Sequence, residues 1–72
     1  MTNMNNSEFQ TKFDQKVTLM NLALHFSAEA DKYHERAKKA GHSYLGMTLL
    51  NIGADLYDKS TLLADRSIQI EL

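Results

Sequence analysis

The chain has no cysteine, no proline and no tryptophan, and only three glycines among its 72 residues. Without cysteine, no disulfide can staple a small domain, and neither a thiolate zinc site nor a thiol nucleophile is available. Without proline, and with glycine only at 41, 46 and 53, little in the chain interrupts helix. A dominant charge is missing too. Eight basic side chains against nine acidic ones give a formal net charge of −1, so no overall field draws the chain to nucleic acid or anionic lipid. No apolar run approaches the ~18 residues of a membrane span, and no charged-then-apolar leader opens the sequence. The expectation is a soluble, cytoplasmic protein with no membrane partner.

What is present is helical patterning. Hydrophobic residues make up 43% of the chain, too many for a disordered polymer. The polar stretch MTNMNN predicts a disordered arm over residues 1–6. Ser7 reads as an N-cap, with Gln10 completing a capping box and Glu8 favouring the first turn. Helical spacing then holds over about 8–40. One apolar stripe is Phe9, Phe13, Val17, Met20 and Leu24. A second, Leu19, Ala23, Phe26, Ala30, Tyr33, Ala37 and Ala40, steps as a heptad seam that alternates large with small.

Cationic Arg36, Lys38 and Lys39 suit the last turns, and Gly41 suits the position just past the end. A turn over 41–43 follows, with Ser43 as the next N-cap and a second helix over about 44–68. That helix carries Gly46, Gly53, Ser60 and Ser67 seven residues apart, in the middle of its apolar arc. Each helical glycine costs about 1 kcal/mol relative to alanine, so a close contact should offset it. Phe26 and Tyr33 are the expected occupants of those notches. Residues 7–72 thus predict a single all-α domain, a long antiparallel helical hairpin with more apolar surface than two helices can cover. Dimerisation into a four-helix bundle is the expected closure.

The stretch GHSYLG (41–46) brings to mind the Gly-x-Ser-x-Gly elbow of serine hydrolases. Its second glycine comes one residue late, and a helix, not a strand, precedes it. Ser43 therefore reads as a cap, and no enzyme is expected. Asp31 and His34 share a helical face at the acid-x-x-His spacing of di-iron bundles, but the further glutamates such a site needs are missing, so His34 reads as solvent-facing and no metal or cofactor is expected. His25, at the edge of the apolar arc, reads as an interface histidine. Charge is expected to grade along the rod from a basic tip to an acidic base with Glu8, Asp14, Asp65 and Glu71.

In outline the hairpin is similar to small helical hairpins that dimerise and to hairpin chaperones of secretion systems, and outline does not fix function. The pattern points to a non-enzymatic protein-interaction module, an adaptor, inhibitor or chaperone-like regulator. It would use Phe9, Phe13, Val17, Met20 and Leu24 as the interface, with itself and another protein as partners. The alternative is a regulator that binds RNA or a small phosphorylated ligand through Lys32, Arg36, Lys38 and Lys39 at the tip.

Overall fold

A computed structural model describes residues 5–72 as two helices, α1 (Asn6–Ala40, 35 residues) and α2 (Tyr44–Gln69, 26 residues). They fold back on each other as an antiparallel hairpin measuring 56 × 15 × 10 Å. Helix α1 starts earlier than expected. Asn5, not Ser7, is the cap, and its side-chain oxygen accepts the Glu8 N–H at 2.8 Å. Asparagine caps as well as serine does and comes first along the chain, while the Ser7 carbonyl accepts the Thr11 hydroxyl inside the helix. Of the arm expected to be disordered, Asn5 and Asn6 belong to the cap and first turn; residues 1–4 lie outside the described residues. Helix α2 extends one residue past the expected end.

The reversal is made as the sequence suggests. Gly41 adopts φ 66°, and its N–H donates to the carbonyls of Ala37 and Lys38. An L side chain there would be strained. Ser43 Oγ accepts the Gly46 N–H at 3.1 Å and donates to the Ala40 carbonyl at 3.0 Å, so it joins the end of α1 to the start of α2.

The helices meet along two matched series of small residues. Ser60 Oγ donates to the Ala23 carbonyl at 2.7 Å, and Ser67 Oγ donates to the Lys16 carbonyl at 3.0 Å. A short hydroxyl can reach the neighbouring backbone only where the two helices approach closely. The same register sets Gly53 against Ala30 and Gly46 near Ala37. Among the described residues, the buried hydrophobic side chains are Ala23, Ala30 and Ala37, at 3%, 0% and 5% exposure, and Gly46, Gly53 and Ser67 are buried with them. Phe26 and Tyr33 do not fill the glycine notches. A methyl built on Gly53 would run into the His34 ring, and one on Gly46 into the Gly41 carbonyl. The expected seam of α1 is therefore split: its first three alanines lie between the helices, while Leu19, Phe26, Tyr33 and Ala40 stand beside the contact, half-buried.

Lys16 continues the alanine series toward the base of the hairpin. Its ammonium donates to the carbonyls of Ser67 (2.7 Å) and Ile70 (3.3 Å). The Ser67 carbonyl also accepts the Ile70 N–H at 3.2 Å, and a cation at this end favours the negative end of the helix dipole.

Candidate interaction surface

Helical phase, at about 100° per residue, sorts the side chains around the small seam. Three residues on from each seam position, α1 carries Leu19, Phe26, Tyr33 and Ala40, and α2 carries Leu49, Leu56, Leu63 and Ile70. All eight are half-buried. Because the helices are antiparallel, both rows fall on one side of the hairpin, where Leu19 and Ile70 line a common open cleft of about 470 Å³. Four residues on, the opposite side is mixed. It holds Met20, Ser27 and His34 from α1, and Leu50, Tyr57 and Ala64 from α2. The His34 and Tyr57 rings meet there with centroids 5.0 Å apart.

The first side is thus a half-built core: large, apolar, continuous, and without a charged side chain in its two rows. Leu22, Leu45 and Ile52 extend it outward at 42%, 60% and 38% exposure, in a register that Glu29, Arg36, Lys59 and Arg66 share. Of this surface, the heptad seam expected for α1 sets Leu19, Phe26, Tyr33 and Ala40 between the helices. The signal for the surface was the seven-residue spacing of the large residues in both helices.

The predicted interface stripe lies on the other side, toward the base. Phe9, Phe13, Val17, Met20 and Leu24 fall within a narrow arc of α1 and are all exposed. The Phe9 and Phe13 rings stack at 6.1 Å.

The basic residues of the tip do not converge on one point. Lys32 pairs with Glu29 at 3.1 Å, and the Arg36 guanidinium lies 5.4 Å from the centroid of the Tyr33 ring. By helical phase Lys39 shares their flank. Lys38 instead faces a shallow cleft of about 260 Å³ that it lines with His34, His42 and Leu50. Nor is the base of the hairpin the acidic end. Lys12, Lys16 and Arg66 offset its carboxylates, and acid gathers at mid-length in Glu29, Asp31, Asp55 and Asp58.

Among the described residues, two groups titrate away from their ordinary values. The Lys32 ammonium, hydrogen-bonded to Glu29, holds that carboxyl below the usual range. The Asp31 carboxylate accepts the Tyr57 hydroxyl, which pushes the phenol upward because ionisation would break the bond and set two negative charges together. Asp31 is thus engaged across the helix pair. His34 is half-buried against Gly53 and Tyr57 rather than solvent-facing, since the missing glycine side chain leaves room for its ring. His25, by contrast, is exposed and only edges onto Phe26.

Among the described residues, no three His, Cys, Asp or Glu side chains converge as a metal site would require. Both functions of the Ser43 hydroxyl are taken up by the backbone of the turn. Among the described residues, no helix is long and apolar enough to cross a membrane. No family model, curated protein or solved structure matches the chain.

Proposed function

We propose that the protein is a small non-enzymatic interaction module, an adaptor, inhibitor or chaperone-like regulator. It works as a homodimer closed into a four-helix bundle and offers Phe9, Phe13, Val17, Met20 and Leu24 to another protein. One observation carries this reading: the buried hydrophobic residues of the hairpin are three alanines, while its phenylalanines, leucines and isoleucines stand half-buried or exposed. Alanine buries little apolar area, and ordering each backbone residue costs about 1–2 kcal/mol, so the large side chains must find cover outside the hairpin. The chain exposes 5646 Å², against roughly 4,500 Å² for a compact protein of its mass. The engagement of Ser43 by the turn, and of Asp31 by Tyr57, further weighs against catalysis.

Sedimentation equilibrium over a wide concentration range tests self-association, and a monomer throughout sinks that half of the proposal. Capture from host extract tests the rest. The captured protein should be lost when Phe13 and Met20 are both changed to Asp, with helicity and sedimentation unchanged; retention would remove the stripe from the proposal. Anion recognition through Lys32, Arg36, Lys38 and Lys39 has weaker support, because two of these cations already have partners within the chain. Salt-sensitive RNA binding that disappears with Lys38→Ala and Lys39→Ala would reverse that ranking.

A further inference from the structure

We infer that a second copy of this chain covers the half-built core, the side carrying Leu22, Phe26, Leu45, Ile52, Leu56 and Leu63, with the two hairpin tips at opposite ends. This rests on the self-association proposed above and specifies its face and its direction.

The choice of face follows from the rows on either side of the small seam. On this side the large residues recur every seven positions in both helices, are half-buried along the whole length, and include no charge. On the other side Ser27, His34 and Tyr57 interrupt the apolar residues. Asp31 adds a carboxylate there, bonded to Tyr57. Desolvating that cluster against a flat partner would strand polar groups near the middle of the contact, whereas the inner rows of the first side carry only the Tyr33 hydroxyl, and its charged residues Glu29, Arg36, Lys59 and Arg66 stand at the outer edge.

Area supports a second copy as the occupant. Two separate hairpins together expose roughly 3,800 Å² more than a compact protein of twice the mass would. Removing that surface calls for an interface in the 2,000–5,000 Å² range of obligate homodimers. A face this long and uniform meets its own copy at full length, because a two-fold axis through its centre superposes row on row.

Charge sets the direction. Past the Lys32–Glu29 pair, Arg36, Lys38 and Lys39 crowd the tip against Glu35, and α2 brings no charge to that end before Asp55. Side-by-side tips would bring two such clusters together. Opposed tips instead place each beside the partner's base, where Lys12, Lys16 and Arg66 are balanced by Glu8, Asp14, Asp65 and Glu71, so that the like-charge crowding is relieved. The centre of the apolar layer falls about 15 residues from the turn, so opposed tips stand about 45 Å apart along the rods.

Matched arginine substitutions test the face. Ile52 and Met20 are equally exposed, at 38% and 37%, on opposite sides. Ile52→Arg should weaken dimerisation by at least a hundredfold in sedimentation equilibrium, and Met20→Arg should leave it within a fewfold. The reverse pattern overturns the proposal. A monomeric parent chain overturns it together with the self-association it rests on, while a dimer that survives Ile52→Arg removes only this face. Spin labels supply a reading that does not depend on the arginine variants folding. The chain has no cysteine, so His42→Cys and Leu22→Cys each give one label per chain. Opposed tips predict about 45 Å between labels at 42 and, along the rods, about 15 Å between labels at 22. A short distance at 42 overturns the direction, and a long one at 22 overturns the face.

Discussion

Gly53 and His34 should be coupled, and the sign of the Gly53→Ala effect should depend on the histidine. A methyl group at Gly53 would sit 2.6 Å from His34 Cδ2 and 2.8 Å from Nε2, well inside contact distance, but 3.4 Å from the Ala30 carbonyl, an ordinary contact. The Tyr57 ring, with its centroid 5.0 Å from that of the imidazole, narrows the directions in which the imidazole can move away. Two terms then compete. Replacing a helical glycine by alanine favours the helix by about 1 kcal/mol, and overpacking costs about 1–3 kcal/mol. In the parent chain the net change is therefore a loss of roughly 0–2 kcal/mol. In a His34→Ala background the collision is gone and the propensity gain of about 1 kcal/mol should appear. The coupling is the difference, about 1–3 kcal/mol, large enough for a double-mutant cycle. Urea unfolding of the four chains, followed by far-UV circular dichroism at one protomer concentration, measures it; a fixed concentration keeps mass action out of the comparison. If Gly53→Ala stabilised both backgrounds equally, the glycine would not be there to accommodate the ring, and the packing argument would be wrong.

Three further outcomes follow from the same contacts. Ser43→Ala removes the cap of α2 and its link to the Ala40 carbonyl, and should lower stability by about 1 kcal/mol in urea unfolding, with Ser43→Asp recovering part of the loss. Lys16→Met strips the charge-assisted bonds from the Ser67 and Ile70 carbonyls, at a cost of about 1–2 kcal/mol, and hydrogen exchange should accelerate over the last turn of α2 more than at Ala30 or Gly53. Absorbance titration should find one tyrosine ionising above the ordinary phenol value of about 10, and Asp31→Ala should bring it back. Since the folded-state value is the raised one, the stabilisation linked to Tyr57 is complete below the unfolded-state value and fades as pH climbs through the folded one. Melting temperature should therefore fall more steeply above pH 10 in the parent than in Asp31→Ala.

The hairpin was legible in the sequence because its punctuation is sparse. Gly41 is the one glycine placed just past a cationic run, and Ser43 follows at capping distance from a new apolar repeat. The start of α1 was misplaced because Asn5 and Ser7 are equally good caps, and local sequence does not decide between two acceptors two residues apart. The partners of the glycines were missed for a different reason. Spacing within a helix names which residues share a face, but the offset between two helices is fixed by the turn. Lys16, Ala23, Ala30 and Ala37 descend from the turn in sevens, and Gly46, Gly53, Ser60 and Ser67 ascend from it in sevens. That mirror pairs small with small and leaves Phe26 and Tyr33 no notch. His34 looked like a solvent residue because it is polar. Only the offset reveals that the absent side chain of Gly53 lies beside it.

The candidate surface was half legible for a related reason. A heptad seam drawn from Leu19 to Ala40 merges two layers that a pair of helices separates. Ser60 and Ser67 reach carbonyls across the contact, so the backbones stand close, and at that separation the space between the helices admits alanine, serine and glycine only. Larger residues at the next heptad position are displaced to the side of the contact rather than enclosed by it. The close approach that ties the two helices together is thus what leaves Phe26, Leu56 and Leu63 half-covered. Small residues at the contact and large ones beside it are therefore a single feature, and the exposed layer is as much built into the sequence as the hairpin.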